Sequence, residues 1–219
     1  MIKQAEDFRQ ESESLYEVFA ALQEDNFDIT TAFKSYTIRD VLAHIHLFNY
    51  AAQLSLDDQN KFQILSNQLI KKFSQGMSMI DVADEWLDGC SNTTLLKNWK
   101  TLFTELSDRY FTENPKTRLP WFGPDMSVLS SLTARLMETW AHGQEVYDVL
   151  GIERVETDRI KSIAVLGINT FSWTFKNRQL DVPGRVPYVK LTAPSGDIWE
   201  WSEASKTNFV TGSDRKSVV

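Results

Sequence analysis

Residues 126–151 read MSVLSSLTARLMETWAHGQEVYDVLG. Leu129, Leu132, Leu136, Trp140 and Tyr147 recur at the spacing that lines up side chains along one face of an α-helix. No proline interrupts the run, and Gly151 stops it, because glycine readily takes the left-handed backbone that ends helices. The periodicity predicts a helix over 126–150 whose apolar arc must be buried against other elements. Working outward, the same signal repeats upstream. Residues 2–25 contain no glycine or proline and carry Phe8, Leu15, Val18, Phe19 and Leu22 at helical spacing. Thr37 and Asp40 stand three apart, where each side chain can cap the other's backbone N–H, and they open a predicted helix that runs to about residue 55. Further helical runs over 58–73, 78–87 and 93–110 are separated by Gly76 and Gly89. Residues 114–125 hold three of the six prolines and one glycine, and are expected to form a long irregular connection.

Downstream of Gly151 one more helical run is predicted over 158–175, and then the pattern changes. Tyr188, Val189, Lys190 and Leu191 alternate on one side of a Pro194-Ser195-Gly196-Asp197 turn, and Ile198, Trp199, Glu200 and Trp201 alternate on the other. That is a hairpin signal. Charge separates the two parts as well: 13 basic against 22 acidic residues over 1–150, and 10 against 8 over 151–219. The expected organisation is a helical domain over 1–151 and a partial α+β domain over 152–213. Residues 214–219 match one reading frame of a widely used sequencing adapter, so they are read as an artificial tail on a truncated chain; a naturally short chain is the alternative.

Composition excludes several classes. The 219 residues are 42% hydrophobic and 24% charged, an ordinary globular balance. A net charge of −7 without a basic run argues against nucleic acid and anionic membrane as partners. No stretch approaches the roughly 18 apolar residues of a membrane span, and the N-terminus lacks a signal-peptide plan, so a cytoplasmic protein is expected. The single Cys90 excludes an internal disulfide and any multi-cysteine metal site, and reads as a small apolar residue rather than a nucleophile.

Only three histidines are present. His44 falls among Val41, Phe48, Ala51 and Ala52 on the apolar face of its helix, either as a core histidine with one hydrogen bond or as a ligand, whereas His46 falls opposite and is expected at the surface. Glu138 and His142 stand four apart and can converge on one ion, or can form an ordinary solvated helix pair; they lie off the main apolar arc. Pro120-Trp121-Phe122-Gly123-Pro124 is a stiff aromatic loop that either walls a pocket or pins the connection to the bundle. Arg118 and Arg135 are candidates for meeting an anionic substrate, with plain solvent exposure as the alternative. Glu145, one turn beyond His142, either orients that histidine or is solvated. Trp199 and Trp201 are expected on one side of a strand as domain packing.

Three segments taken together, RLPWFGPDMS (118–127), TARLMETWAHGQEV (133–146) and YTIRDVLAHI (36–45), resemble the mycothiol-dependent maleylpyruvate isomerase N-terminal family, nearest to its uncharacterised metal-binding branch. The resemblance covers residues 1–212. It implies a mainly α fold: a DinB-like four-helix bundle followed by an incomplete α+β domain of sterol-carrier-protein type. It also implies that His44, Glu138 and His142 hold a divalent metal, usually Zn2+. Such a ligand set leaves a coordination position open, where a thiol would bind as the thiolate, the nucleophilic form. Two histidines and a carboxylate also accept Fe(II), Ni(II) or Mn(II). In the family's isomerases the thiol is mycothiol, whose sulfur adds to an activated alkene of maleylpyruvate, permits rotation and leaves. The resemblance thus implies thiol-dependent isomerase or S-transferase chemistry, with a small thiol and an electrophilic substrate as partners. Trp121, Arg118 and Arg135 are the candidate substrate-binding residues. A non-catalytic protein that binds metal or a small ligand on the same fold is the alternative.

Overall fold

Short polar side chains open most of the helices in the computed structural model, which describes residues 2–213; the suspected tail, 214–219, lies outside them. Helix α1 (Gln4–Ala20) starts without a side-chain cap and is followed by a 3-10 turn, Glu24–Asp28, so the run read over 2–25 ends earlier as α-helix. At α2 (Ile38–Asp57) the Thr37 hydroxyl accepts the Asp40 N–H, and the Asp40 carboxylate accepts the Thr37 N–H at 2.8 Å. Asp58 caps α3 (Gln59–Ser74), Ser78 and Asp81 repeat the reciprocal cap at α4 (Met79–Leu87), and Ser91 caps α5 (Asn92–Thr112). The connection expected to be irregular contains a two-residue antiparallel ladder between β1 (Arg118–Leu119) and β2 (Met126–Ser127). Ser127 then caps α6 (Val128–Leu150), which ends at Gly151 with φ +66°. There the Ile152 N–H donates to the Tyr147 carbonyl at 3.0 Å, satisfying an otherwise orphaned acceptor.

The described residues divide between Arg154 and Val155 into two compact units. In the first, α1 and α2 each pack on both α5 and α6, closing a four-helix bundle, and α3 and α4 cover α2. Its core holds Phe8, Leu15, Leu42, Ile45, Trp99, Phe103, Leu132 and Leu136, all essentially inaccessible. Each such side chain contributes about 1.5–3 kcal/mol on burial. With neighbours on four sides, α2 has little solvent face. His46, expected at the surface, is therefore only 7% exposed and lies against Trp86 with ring centroids 5.3 Å apart. The reading failed because a helical wheel assumes one buried face and one wet one.

In the second unit the helical run read as one element is split. After a 3-10 turn, Asp158–Ile160, come α7 (Lys161–Asn169) and α8 (Phe171–Asn177), joined at Thr170. The Thr170 hydroxyl donates to the Leu166 carbonyl at 2.8 Å, a back-bond that bends a helix. The expected hairpin is present as β3 (Tyr188–Thr192) and β4 (Ile198–Trp201), antiparallel, with β5 (Phe209–Ser213) parallel to the other edge of β3. Asp158 accepts both the backbone N–H and the hydroxyl of Ser195, tying the hairpin turn to the start of the helices. Ala164, Val189 and Leu191 form a small core with Ile168 and Trp201 against it, and Trp199 is buried. Among the described residues no helix is long and apolar enough to cross a membrane.

Candidate metal centre

The reciprocal cap at Thr37 fixes where α2 begins, and His44 follows two turns later on the side that meets α6. Glu138 and His142 come from one face of α6, four residues apart. The Nε2 atoms of His44 and His142 lie 3.3 and 3.2 Å from the same oxygen, Oε2 of Glu138. The two imidazole centroids are 4.4 Å apart, and one ligand atom from each of the three residues lies within 4.8 Å of the others. The structure thus gathers His44, Glu138 and His142 although Glu138 and His142 lie off the main apolar arc of α6. That helix buries two faces: the apolar arc meets the bundle core, and the Glu138 face meets His44.

The donor set suits a divalent cation. Ligand atoms on a tetrahedral ion with bonds of about 2.0–2.2 Å sit roughly 3.3–3.6 Å apart, and the two His–Glu separations are 3.2 and 3.3 Å. As protonated nitrogens the two Nε2 atoms donate to Glu138; as bare nitrogens they offer lone pairs to a cation. Burial works against ionising Glu138, but hydrogen bonds from His142 and His44 and the charge of Arg135 outweigh it and hold the carboxyl well below its usual range. Burial pushes the His44 pKa down against the pull of Glu138, which favours the neutral imidazole that a metal requires. The side chains retain some access to solvent, 13% for each histidine and 28% for Glu138.

Aromatic rings surround the cluster. Phe33 meets His142 at 5.2 Å, Tyr36 meets His44 at 6.4 Å and Phe48 meets His44 at 4.8 Å between centroids. Phe33 and Tyr36 are delivered by a tight turn in which Lys34 and Ser35 both have positive φ, +49° and +60°. Such backbone is costly outside glycine and persists only where the surroundings hold it; here the Tyr36 N–H donates to the Phe33 carbonyl at 2.9 Å. Sequence reasoning missed these three rings as parts of the site. Phe48 was recoverable, one turn beyond His44 on the same face; the turn carrying Phe33 and Tyr36 has no glycine to announce it.

The candidate substrate-binding residues separate. Arg118 is exposed and donates to the Asp125 carbonyl, bracing the ends of the proline-rich loop. Trp121 stacks on Phe62 at 5.8 Å and 15°, and Phe122 meets Phe48 at 5.6 Å, so the loop is pinned to α2 and α3 and also backs the ring that touches His44. Arg135, for which exposure was the alternative, is 4% exposed, its guanidinium 5.2 Å from the Trp121 centroid and 5.8 Å from that of Phe48. Cys90 is half-buried beside Ser91, and no hydrogen bond links Glu145 to His142 among the described residues.

A family model described as the mycothiol maleylpyruvate isomerase N-terminal domain matches residues 8–147, a span that contains all three clustered side chains. An uncharacterized protein of Mycobacterium tuberculosis, found in two strains, is 34% identical over 207 residues, which make up 94% of this chain and 79% of the relative. Among solved structures, the crystal structure of the mycothiol-dependent maleylpyruvate isomerase matches with a TM-score of 0.57 at 12% identity, covering 96% of this chain and 84% of that one. A point mutant of the isomerase matches equally well at 13% identity. At such identity the structural likeness speaks for the fold.

Proposed function

The chain belongs to the mycothiol maleylpyruvate isomerase N-terminal domain family, and from that membership we propose that it binds one divalent cation through His44, Glu138 and His142 and acts as a thiol-dependent isomerase or S-transferase on a small electrophile. The observation that carries the reading is the convergence of two imidazole nitrogens on one carboxylate oxygen, at 3.3 and 3.2 Å, from two different helices. The reading assigns the metal to the helical domain, residues 1–151, in a cytoplasmic protein, with Zn2+ as the first expectation and a mycothiol-type thiol as co-substrate. When bound, a divalent ion with an open coordination position favours the thiolate form of an entering thiol.

The chain's own groups prepare the site for this. Glu138 stays ionised because two histidines and Arg135 hold its charge, and burial keeps His44 neutral with a lone pair free. Phe33, Tyr36 and Phe48 exclude water from the sides of the imidazoles, which strengthens electrostatic interactions within the cluster. A second reading is a protein that binds metal or a small ligand without turnover. One observation favours it: Nδ1 of His44 is buried with no hydrogen-bond partner among the described residues, whereas catalytic metal sites ordinarily orient that nitrogen.

Elemental mass spectrometry of the purified protein, after loosely bound ions are removed, tests the metal. About one ion per chain is expected in the wild type and almost none in a folded His142→Ala variant. A folded wild type that refuses added Zn2+ would overturn the proposal. Mycothiol-dependent turnover of maleylpyruvate by the loaded protein then separates the two readings.

A further inference from the structure

Arg135 stands on α6 one turn before Glu138, on the face that carries Glu138 and His142. It is 4% exposed. Burying a charge without a partner is costly, so a sequestered guanidinium ordinarily sits on a carboxylate. Among the described residues Nε has no hydrogen-bond partner and no carboxylate lies within ion-pair reach of the group, although the charge of Glu138 still acts on it. Phe48 and Trp121 each lie against the guanidinium, and aromatic contacts of this kind leave its N–H edge free for a planar anion. The nearest acid, Glu138, already gives Oε2 to His44 and His142. Tyr110 is no counter-ion: its hydroxyl bonds Ser131 at 2.8 Å, and burial pushes its pKa up to about 12.

The charge balance of the proposed site bears on Arg135. A dication on the proposed ligands, offset by Glu138 and joined by Arg135, would leave two positive charges among largely buried side chains. A thiolate removes one of them.

We infer that Arg135 is the anion receptor of this site, a specificity-determining residue that takes a carboxylate of the electrophile through its free N–H edge. The inference deepens the proposed function and rests on it for the identity of the reacting molecule. It selects electrophiles that carry a carboxylate close to the reacting carbon. It also explains why α6 keeps a buried guanidinium that no carboxylate touches: Glu138 acts on it only at a distance, and the contacting anion arrives with the substrate.

The experiment is a calorimetric and thermal-melting titration of the Zn2+-supplemented full chain with maleate, beside dimethyl maleate, which has a similar shape and no charge. Maleate is expected to bind and to raise the melting temperature, and the ester to do neither. Arg135→Met is expected to melt close to the wild type without ligand, since the guanidinium makes no hydrogen bond or contact ion pair among the described residues, and to bind maleate about tenfold more weakly or worse. Arg135→Lys keeps the charge without the fork and should fall between. No maleate binding by the wild type, or equal binding by Arg135→Met, overturns the inference. So does an Arg135→Met variant that melts well below wild type and is rescued by Arg135→Lys, the behaviour of a structural arginine. Binding abolished by His142→Ala but untouched by Arg135→Met is binding to the ion alone: it overturns the inference and leaves the metal reading standing. Arg135-dependent binding in a protein that takes up no metal sustains the inference and removes the metal reading.

Discussion

His44 and His46 are two residues apart on one helix, and packing gives them different chemistry. His44 meets a carboxylate and keeps an open side; His46 meets Trp86 and has its pKa lowered to about 4 by burial. For a base, a depressed folded pKa means that the unfolded chain binds more protons between about pH 4 and 6.5. Stability is therefore full above pH 6.5 and is lost as pH falls toward 4, by on the order of 3 kcal/mol in all. Urea midpoints measured from pH 7 to pH 5 should fall more steeply for the wild type than for His46→Leu, and parallel slopes would reject this account. The contrast also marks what could be read at this scale. His44 was legible because its neighbours Val41, Phe48 and Ala51 define an apolar face; His46 was misjudged because no local pattern reports that α3 and α4 cover the other side of α2. The burial of Arg135 was illegible for a similar reason, since Trp121 and Phe48 reach it from a loop and another helix.

The helices themselves were legible where capping chemistry is local. Thr37 with Asp40, Ser78 with Asp81, and Gly151 act within four residues of chain, and all three set the ends that the sequence suggests. Helix α6 shows the limit. Its periodicity discloses one buried arc but hides the second, and Gly143, which looks like a helix-weakening residue, has a spatial reason: a Cβ built there meets Leu15 Cδ2 at 3.1 Å. Leu15 is wholly buried on α1, so it has no room to yield. Gly143→Val should destabilise the protein by about 1–3 kcal/mol through overpacking, read as a lower urea midpoint with unchanged slope. An unchanged midpoint would mean that α1 and α6 can separate freely. The split of 158–175 into α7 and α8 falls at Thr170, whose hydroxyl donates back to the Leu166 and Gly167 carbonyls, an interaction that competes too closely with helix continuation to be read from composition.

At the scale of the molecule, closure of the bundle depends on a pair far apart in sequence. Glu11 of α1 and Arg154, beyond the end of α6, form an ion pair with both side chains 2% exposed. Arg154 also donates to the Trp140 carbonyl at 2.9 Å and lies over the rings of Trp140 and Tyr147. Arg154→Met alone should cost about 3–5 kcal/mol by removing the buried cation opposite Glu11, and the double variant with Glu11→Leu should recover most of it. A double-mutant cycle in urea measures both, and additive losses would show that the pair is not coupled. Family membership, the mainly helical fold with a small C-terminal sheet, the cap positions and the three residues proposed to hold a metal all follow from the sequence. The helix pattern and its caps rest on local spacing, which acts over a few residues, whereas the three proposed ligands were legible only through the resemblance of their segments to the family, since periodicity turned Glu138 and His142 away from the main apolar arc. Only the tertiary structure decided that two imidazole nitrogens meet at one carboxylate oxygen, that Phe33, Tyr36 and Phe48 line them, and that Arg135 is buried with no hydrogen bond or contact ion pair among the described residues. Those outcomes depend on which helix faces which, and helices separated by most of the domain's length leave no local trace of that choice.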